Sequence, residues 1–573
     1  MYKVLSNVSK YTVYNGLRHT STAIHTPYIT SLNLNKQPLP RQPVPDLKQT
    51  AERYLRSVKP LLTDQEYENT EKIVGEFVRD GGAGPRLHTK LLEKYQNTDN
   101  WMKDWWLRAA YLGYRAPAII NSSPGTVGPS VTFRRPDDIY VFAARLIAGV
   151  CDYNEIVKSG KMKQEMVRND PLDMQPYGMV LGTHRQPDEG VDKLLHTCVV
   201  DENGVLSEAK LVAAIKDIAD RSCVPGKPVG ILSGNDRDTW AKDHSLLSEL
   251  GNNRRIIRDI ETSLFVLCLD KNMPEGAFRE KNNASVRAVQ AMTGFDSSVN
   301  AGNRWHDKTI QYIVSADGYV GMEYEHSPCE GGPVAVLHDY VLKYISAREN
   351  SARRESPKDF PRAELLKFET NDATDRAIKK ATDAVDNLSR NIDMECFTFD
   401  KFGADAIKAI KLSPDSFIQI AMQVTFYNLH EKPPAHYESA ALRRFINART
   451  ECIRSTCIES VEFARMMLHD ANSKSKAQKK ETMIRAINAH KELAGQELTI
   501  PFSLRRVPYK SASFMCYGPV VPDGYGCCYN PRPKDILFAC SSFKSCGRTS
   551  TRDFARVLQQ TLCDMRAIGS EST

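Results

Sequence analysis

The most regular hydrophobic pattern in the chain is IQYIVSADGYVGMEYEH, residues 310–326. Apolar and polar positions alternate on both sides of Asp317-Gly318. Alternation broken by an Asp-Gly pair predicts two antiparallel strands joined by a tight turn. His326 stands where the second strand ends. PVGILS (228–233) and SLFVLCLD (263–270) read as further strands, on either side of a helix-like TWAKDHSLLSEL. Helical spacing of apolar positions predicts a helix in DLKQTAERYLRSVKPLL, capped by Asp46, and another in RPDDIYVFAARLIAGVCDY (135–153). WMKDWWLRAAYLGY (101–114) reads as an aromatic-rich helix whose tryptophans 101, 105 and 106 pack a core. Past a charged, Ser- and Pro-rich linker at about 350–370, long helices are expected at 371–392, 413–430, 455–470 and 478–494. Strands follow in SFMCYGPVV, GCCYNP and ILFACSSF, then a last helix in STRDFARVLQQTLCDMRAI. Helices and strands mix in both halves, which suggests two α/β domains.

Composition narrows the function. A chain of 573 residues, 41% hydrophobic, can bury more than one core. Lys and Arg (77) are interleaved with Asp and Glu (70), for a net charge of +7. Without a basic stripe, nucleic-acid binding is not expected, whereas a mild positive excess suits an enzyme handling anions. The fourteen cysteines form no C-x-x-C pair and none lies at zinc spacing from histidines, so they read as reduced thiols and no metal site is expected. No run of eighteen apolar residues exists, so no transmembrane helix is expected. Residues 1–37 contain Lys3, Lys10, Arg18 and Lys36, many hydroxyl side chains and no acid; the first acidic residue is Asp46. That composition reads as a mitochondrial transit peptide. The chain ends in EST, not the peroxisomal S-K-L.

Candidate chemistry gathers in EYEHSPCEGG (323–332). An imidazole titrates near neutral pH, so His326 is a candidate base, and Glu330 four residues on is placed to orient or balance it. On the residues alone, a structural role is the commoner one for a lone histidine. The G-x-S-x-G elbow, the P-loop and G-x-G-x-x-G are all missing from the sequence.

Many segments in one order carry a more specific signal: VFAARLIAGV, PVGILSGNDRDTWA, GNRWHDKTIQ, YEHSPCEG, LSPDSFIQIAMQ, YESAALRRF, RTECIRS and GPVVPDGYGCCYNP. The chain thereby resembles the carnitine/choline acyltransferase family from about residue 38 to 568. The resemblance implies an α/β (α+β) fold of two chloramphenicol-acetyltransferase-like domains, 38–365 and 366–573, with an active-site tunnel at their interface. It implies reversible transfer of a short acyl (acetyl) group between coenzyme A and carnitine, with His326 as general base and acid and Glu330 beside it. Coenzyme A is then a co-substrate and no cofactor is tightly bound. The family pattern assigns Lys408, Asp415 and Glu438 to the coenzyme A side, with Ala404 where a first lysine is expected and Lys411 or Lys401 as compensating cations. Asp415 reads equally as a helix cap. Tyr437, Thr450 and Tyr111 match the carboxylate side of carnitine, and Tyr517 the aromatic near its trimethylammonium. Thr450, the leader and PGTVGP (124–129) argue against a choline-directed enzyme. The resemblance also implies a monomer, in the mitochondrial matrix or on the matrix face of the inner membrane rather than in peroxisomes.

The pattern breaks at 491–507. After AINAHKELAG the chain runs straight through QELTIPFSLRRVPYKSASFMCYG, and a few dozen residues of the family pattern are missing. The arginine expected to meet the carnitine carboxylate has no counterpart, Arg505 and Arg506 being the nearest substitutes. Ser503-Leu504-Arg505 replaces a Ser-Thr-Ser run whose last serine steadies the oxyanion in the family. This opens a second expectation, an impaired relative that binds coenzyme A and transfers poorly.

Overall fold

The hairpin forms as the alternation predicts: strands Ile310–Ser315 and Val320–Tyr324 pair antiparallel across Asp317-Gly318. In the computed structural model, which describes residues 2–3, 34–197, 205–349, 357, 359–469, 474–496 and 509–570, this hairpin is the centre of a five-stranded sheet. The strand order is Phe514–Cys516, Gly125–Val127, Val320–Tyr324, Ile310–Ser315, Val266–Asp270, and only the last pair is parallel. Both faces are covered, so every residue of the hairpin strands is buried. Ile310, Tyr312 and Val314 pack with Met322 and Tyr324 against helices Asp138–Lys158 and Gly331–Ser346. Ile313 faces the other way, onto helices Asn283–Thr293 and Asp372–Asn391 through Ala288, Met292, Ile378 and Val385. A slip of one residue would exchange the two faces, so the register is strongly specified.

A second, three-stranded sheet, Ile392–Phe399, Ile536–Phe543 and Gly526–Pro531 in that order, carries the core of the last third of the chain. Phe417, Ile420 and Val424 of helix Pro414–His430 pack there with Leu558 and Leu562 of helix Thr551–Ser570. Helices Ile458–Leu468 and Lys476–Gln496 complete this layer. The architecture is thus mixed α/β. The two sheets are interleaved by one short excursion: Phe514–Cys516, late in sequence, joins the first sheet beside Gly125–Val127. Among the described residues, no helix is long and apolar enough to cross a membrane. All of 1–37 but 2–3 and 34–37, and residues 350–356 and 358 of the expected 350–370 linker, lie outside the described residues.

Three expectations are corrected. PVGILS is not a strand; Val229–Gly234 is a 3-10 helix. Gly230 lets the backbone lie where a Cβ would stand 2.1 Å from the Arg304 carbonyl, and that close approach, with Ser233 Oγ donating to the Gly230 carbonyl at 2.6 Å, curls the segment. The aromatic-rich helix breaks at residue 108: Lys103–Leu107 is α-helical and Arg108–Leu112 widens to a π-turn. Its tryptophans do not build a core. Trp105 is 53% exposed and covered by the Lys94 ammonium, and Trp106 walls a cavity described below. Helix Pro414–His430 is capped by Ser413, whose side chain accepts from the Ser416 N–H, not by Asp415. Elsewhere capping follows the sequence, with Asp46 accepting from the Gln49 N–H at 2.9 Å.

The turn of the central hairpin tests this account. Gly318 has φ +85°, and a Cβ there would stand 2.0 Å from the Val131 carbonyl. The Val131 N–H also donates to the Gly318 carbonyl at 2.9 Å, so the two backbones cannot part freely. Gly318→Ala is expected to destabilise the protein by about 1–3 kcal/mol, read as a lower midpoint in a thermal melt.

Candidate active site

His326 is held by its backbone before its ring is considered. Its N–H donates to the Ser122 carbonyl at 2.8 Å, and the Glu325 N–H donates to the Thr309 carbonyl at 3.0 Å. The Glu325 carboxylate is buried and accepts from the Ser327 N–H (3.0 Å), the Ser327 hydroxyl (2.7 Å) and Arg185 (3.2 Å). Arg185 continues to Asp192 at 2.7 Å, Asp192 to Arg237 at 2.7 Å, and Arg237 to Asp307 at 2.5 Å, all fully buried. Charges of alternating sign in hydrogen-bond contact keep such a chain from costing what isolated buried ions would.

The other side of the loop is fastened by Arg449. Its guanidinium donates to the Glu330 carboxylate at 2.8 Å, the Ser327 carbonyl at 2.6 Å and the His326 carbonyl at 3.0 Å. Burial works against that charge, but Glu330 more than offsets it and Arg449 stays firmly cationic.

The imidazole lies between two tyrosines. The Tyr111 ring stacks on it at 5.4 Å and 11°, and Tyr324 is tilted at 5.3 Å. The Tyr111 hydroxyl is 2.9 Å from Nδ1, and Nε2 is 3.6 Å from the Glu330 carboxylate. Burial holds the His326 pKa below the ordinary histidine range, with Glu330 pulling part of the way back. The ring is therefore neutral at pH 7 and free to take a proton. Burial pushes the Tyr111 phenol well up, so it keeps its proton.

His326 and Glu330 line a cavity of about 1220 Å³. One wall is a two-stranded ribbon, Glu438–Ala441 against Thr450–Ile453. Strand side chains alternate in direction, and the odd-numbered positions face the cavity: Ser439 and Ala441 on one strand, Thr450 and Cys452 in even register on the other. Tyr437 and Arg454 extend the same rows, with the Arg454 guanidinium 5.6 Å from the Tyr437 ring centroid. Tyr111 and Tyr517 also line the cavity.

The structure thus brings together His326, Glu330, Tyr111, Tyr437, Thr450 and Tyr517. It does not bring the expected coenzyme A residues to the same lining. Lys408 is 64% exposed on helix Ala404–Ala409, and Lys411 follows it in a left-handed backbone conformation, also exposed. Asp415 accepts from the Tyr529 hydroxyl at 2.5 Å. Glu438 points away from the cavity into an ion pair with His490 at 2.8 Å; the facing histidines draw its pKa down to about 2 against burial, while His490 is raised. Arg505 and Arg506 lie outside the described residues. Arg449, Arg185 and Arg454 were not singled out from the sequence. The signal for Arg454 was there, in the two-residue period of Thr450, Cys452 and Arg454; the roles of Arg449 and Arg185 rest on contacts more than a hundred residues apart and had no local signal.

A family model described as Choline/Carnitine o-acyltransferase matches residues 42–499 and 500–560. Carnitine O-acetyltransferase of Columba livia is 35% identical over 594 residues, covering 93% of this chain and 94% of that protein. The Homo sapiens carnitine O-acetyltransferase is 34% identical over 589 residues, covering 92% and 93%. Choline O-acetyltransferase of Drosophila melanogaster is 31% identical over 629 residues, covering 92% and 87%.

The electrostatics at His326 give a signed expectation. Glu330 favours the imidazolium, so Glu330→Gln lowers the pKa of the ring further. Any rate that needs the neutral ring then keeps its value to lower pH, and the acidic limb of the pH–rate profile moves toward acid. The same change leaves the Arg449 charge without its carboxylate, with an expected loss of up to about 3 kcal/mol in stability. A pH–rate profile and a chemical denaturation curve on the variant check both.

Proposed function

The chain belongs to the choline/carnitine O-acyltransferase family, and from that membership we propose that it moves a short acyl group reversibly between coenzyme A and carnitine, with His326 as general base and acid. The observation that carries the proposal is the neutral imidazole of His326, fixed through its own backbone and facing a cavity large enough for both reactants. In the forward direction the acceptor hydroxyl gives its proton to the imidazole as its oxygen attacks the thioester carbonyl. A tetrahedral oxyanion forms. It collapses with cleavage of the C–S bond, and the imidazolium returns the proton to the leaving thiolate. Glu330 steadies the imidazolium and Arg449 holds Glu330 in place. The reverse reaction uses the same ring, so one base serves both directions.

Carnitine differs from choline by a carboxylate, and the cavity wall supports the anionic acceptor. Tyr437, Thr450 and the Tyr111 hydroxyl supply neutral donors. Arg454 supplies a positive charge that no carboxylate neutralises among the described residues. Tyr517 and the other cavity aromatics suit a quaternary ammonium. Coenzyme A contacts at Lys408, Lys411, Asp415 and Glu438, and a mitochondrial address for the basic leader, belong to the same reading.

A second reading is favoured by one observation. The family match breaks between 499 and 500, inside the stretch where the sequence departs from the pattern, and the alignment to the Columba livia protein (594 positions) is longer than this chain. Both support a chain that lacks a segment its relatives carry. Losing one oxyanion donor typically costs about 10²–10³ in rate, so an impaired enzyme that still binds coenzyme A is the alternative.

A thiol-release assay with acetyl-coenzyme A and either carnitine or choline separates these. Carnitine-dependent release that drops by about 10²–10⁴ in His326→Ala supports the proposal. Equal release with choline, or release indifferent to His326, would sink it. Saturable coenzyme A binding without turnover would favour the impaired reading.

A further inference from the structure

The adjacent cysteines of GCCYNP do not share a role. They sit on strand Gly526–Pro531, and neighbours on a strand face opposite ways. Cys528 packs toward the first sheet's cores, whereas Cys527 packs with Tyr529, Phe538 and Cys540 on the other side. Cys527 and Cys540 are directly opposed in the antiparallel register, and their sulfurs are 3.5 Å apart. Directly opposed residues in such a ladder have Cα atoms about 4.5–5.5 Å apart, within the range of about 4.4–6.8 Å that a disulfide spans. Cys527 is half-buried and, like Cys528, lines the 1220 Å³ cavity; Cys540 is buried behind Cys527. The Cys527 carbonyl accepts the hydroxyl of Tyr517, one of the aromatics proposed to meet the acceptor, at 2.9 Å.

We propose that Cys527 and Cys540 are a reversible dithiol–disulfide pair, a modification site in the wall of the acyl-transfer cavity, oxidised by a peroxide and reopened by small thiols. Cys527, on the cavity side, attacks one peroxide oxygen: an S–O bond forms, the O–O bond breaks and water leaves, giving a sulfenic acid. The Cys540 sulfur then attacks the Cys527 sulfur, an S–S bond forms, the S–O bond breaks, and the Cys540 proton leaves with the departing hydroxide as a second water. Overall two thiols and one hydrogen peroxide give one disulfide and two waters. Two equivalents of a small thiol reverse the change by exchange, leaving their own disulfide. The order of attack agrees with the thiols: contact with the Cys527 sulfur and then burial keep Cys540 protonated. Closing the sulfurs from 3.5 Å to the bonded distance of about 2.05 Å draws the strands together where one of them holds Tyr517. The bond is expected to weaken acceptor binding.

The linkage can be tested apart from the activity; only its effect on turnover rests on the proposed acyl transfer. The full chain is treated with hydrogen peroxide, its remaining thiols are alkylated, and the digest is read by tandem mass spectrometry. The expected product is a peptide pair joined through Cys527 and Cys540, abolished in Cys540→Ala, abolished also in Cys527→Ser should the first variant fold poorly, and lost on treatment with dithiothreitol. In the carnitine assay KM for carnitine is expected to rise about tenfold on oxidation and to recover with dithiothreitol, with both variants insensitive. Recovery of Cys527 only as an alkylated or singly oxidised residue, or joined to another cysteine, overturns the site. A link that forms while KM stays unchanged overturns the coupling to Tyr517. A chain without turnover leaves the mass readout to decide the linkage, so failure of the proposed function is told apart from failure of this one.

Discussion

The grip of Arg449 on the loop 326–330 is the contact on which the site depends. Three donors of one guanidinium meet two loop carbonyls and the Glu330 carboxylate. A planar fork can satisfy these partners at once, and an ammonium on a flexible stem cannot do so in the same geometry. The loop ends in glycines 331 and 332 at the start of helix Gly331–Ser346, so little else in its own sequence would fix it. Arg449 immediately precedes strand Thr450–Ile453 of the ribbon that forms one cavity wall, so the wall and the His326 loop are tied through the same residue. Thr450, next to it, faces the cavity because strand neighbours point in opposite directions.

A second restraint comes from the first half of the chain. The buried series Glu325, Arg185, Asp192, Arg237 and Asp307 ties the loop to the strand Thr183–Gln186 and to helix Arg237–Ser248. An apolar contact would supply comparable stability without direction. Ion pairs in hydrogen-bond geometry impose distances, and distance is what the proposed proton transfer at His326 requires. Burial of the imidazole then has a chemical result: it lowers the pKa and leaves the ring in its accepting form, while the nearby Glu330 favours the imidazolium.

What was legible in the sequence follows from range. The Asp-Gly hairpin, the 135–153 helix and the four helices after 370 are governed by local periodicity and caps, and they form close to where that periodicity puts them. PVGILS departs from a strand because Gly230 serves close backbone packing against the distant Arg304 carbonyl, which an apolar run mimics as a strand. The tryptophans near 101–106 failed because large apolar area was equated with core position. At the site, His326 and Glu330 stand out in the sequence itself, at the end of the alternating hairpin, and the family resemblance adds their role; the cavity-facing Tyr111, Tyr437, Thr450 and Tyr517 follow from the resemblance alone. Arg449 was passed over, although it precedes Thr450, because the value of a buried cation lies in partners that no local window contains. The sequence gives Cys527 and Cys540 only as reduced thiols for the same reason: they stand thirteen positions apart, and strand register makes them neighbours.

The described chain on either side of residues 497–508 is anchored in different sheets. Before it, helix Lys476–Gln496 sends Met483 and Ile487 into the core of the second sheet, and His490 pairs with Glu438 beneath the cavity ribbon. After it, the Tyr509 hydroxyl meets Thr126 at 2.7 Å, and Phe514–Cys516 completes the first sheet beside Gly125–Val127. Both anchors are buried and hydrogen-bonded. Loop-closure entropy changes slowly with length, which makes a shorter connection between fixed ends tolerable for the fold. Under the proposed function, the residues that meet the acceptor's charge are those on the ribbon, with Arg454 just past its end.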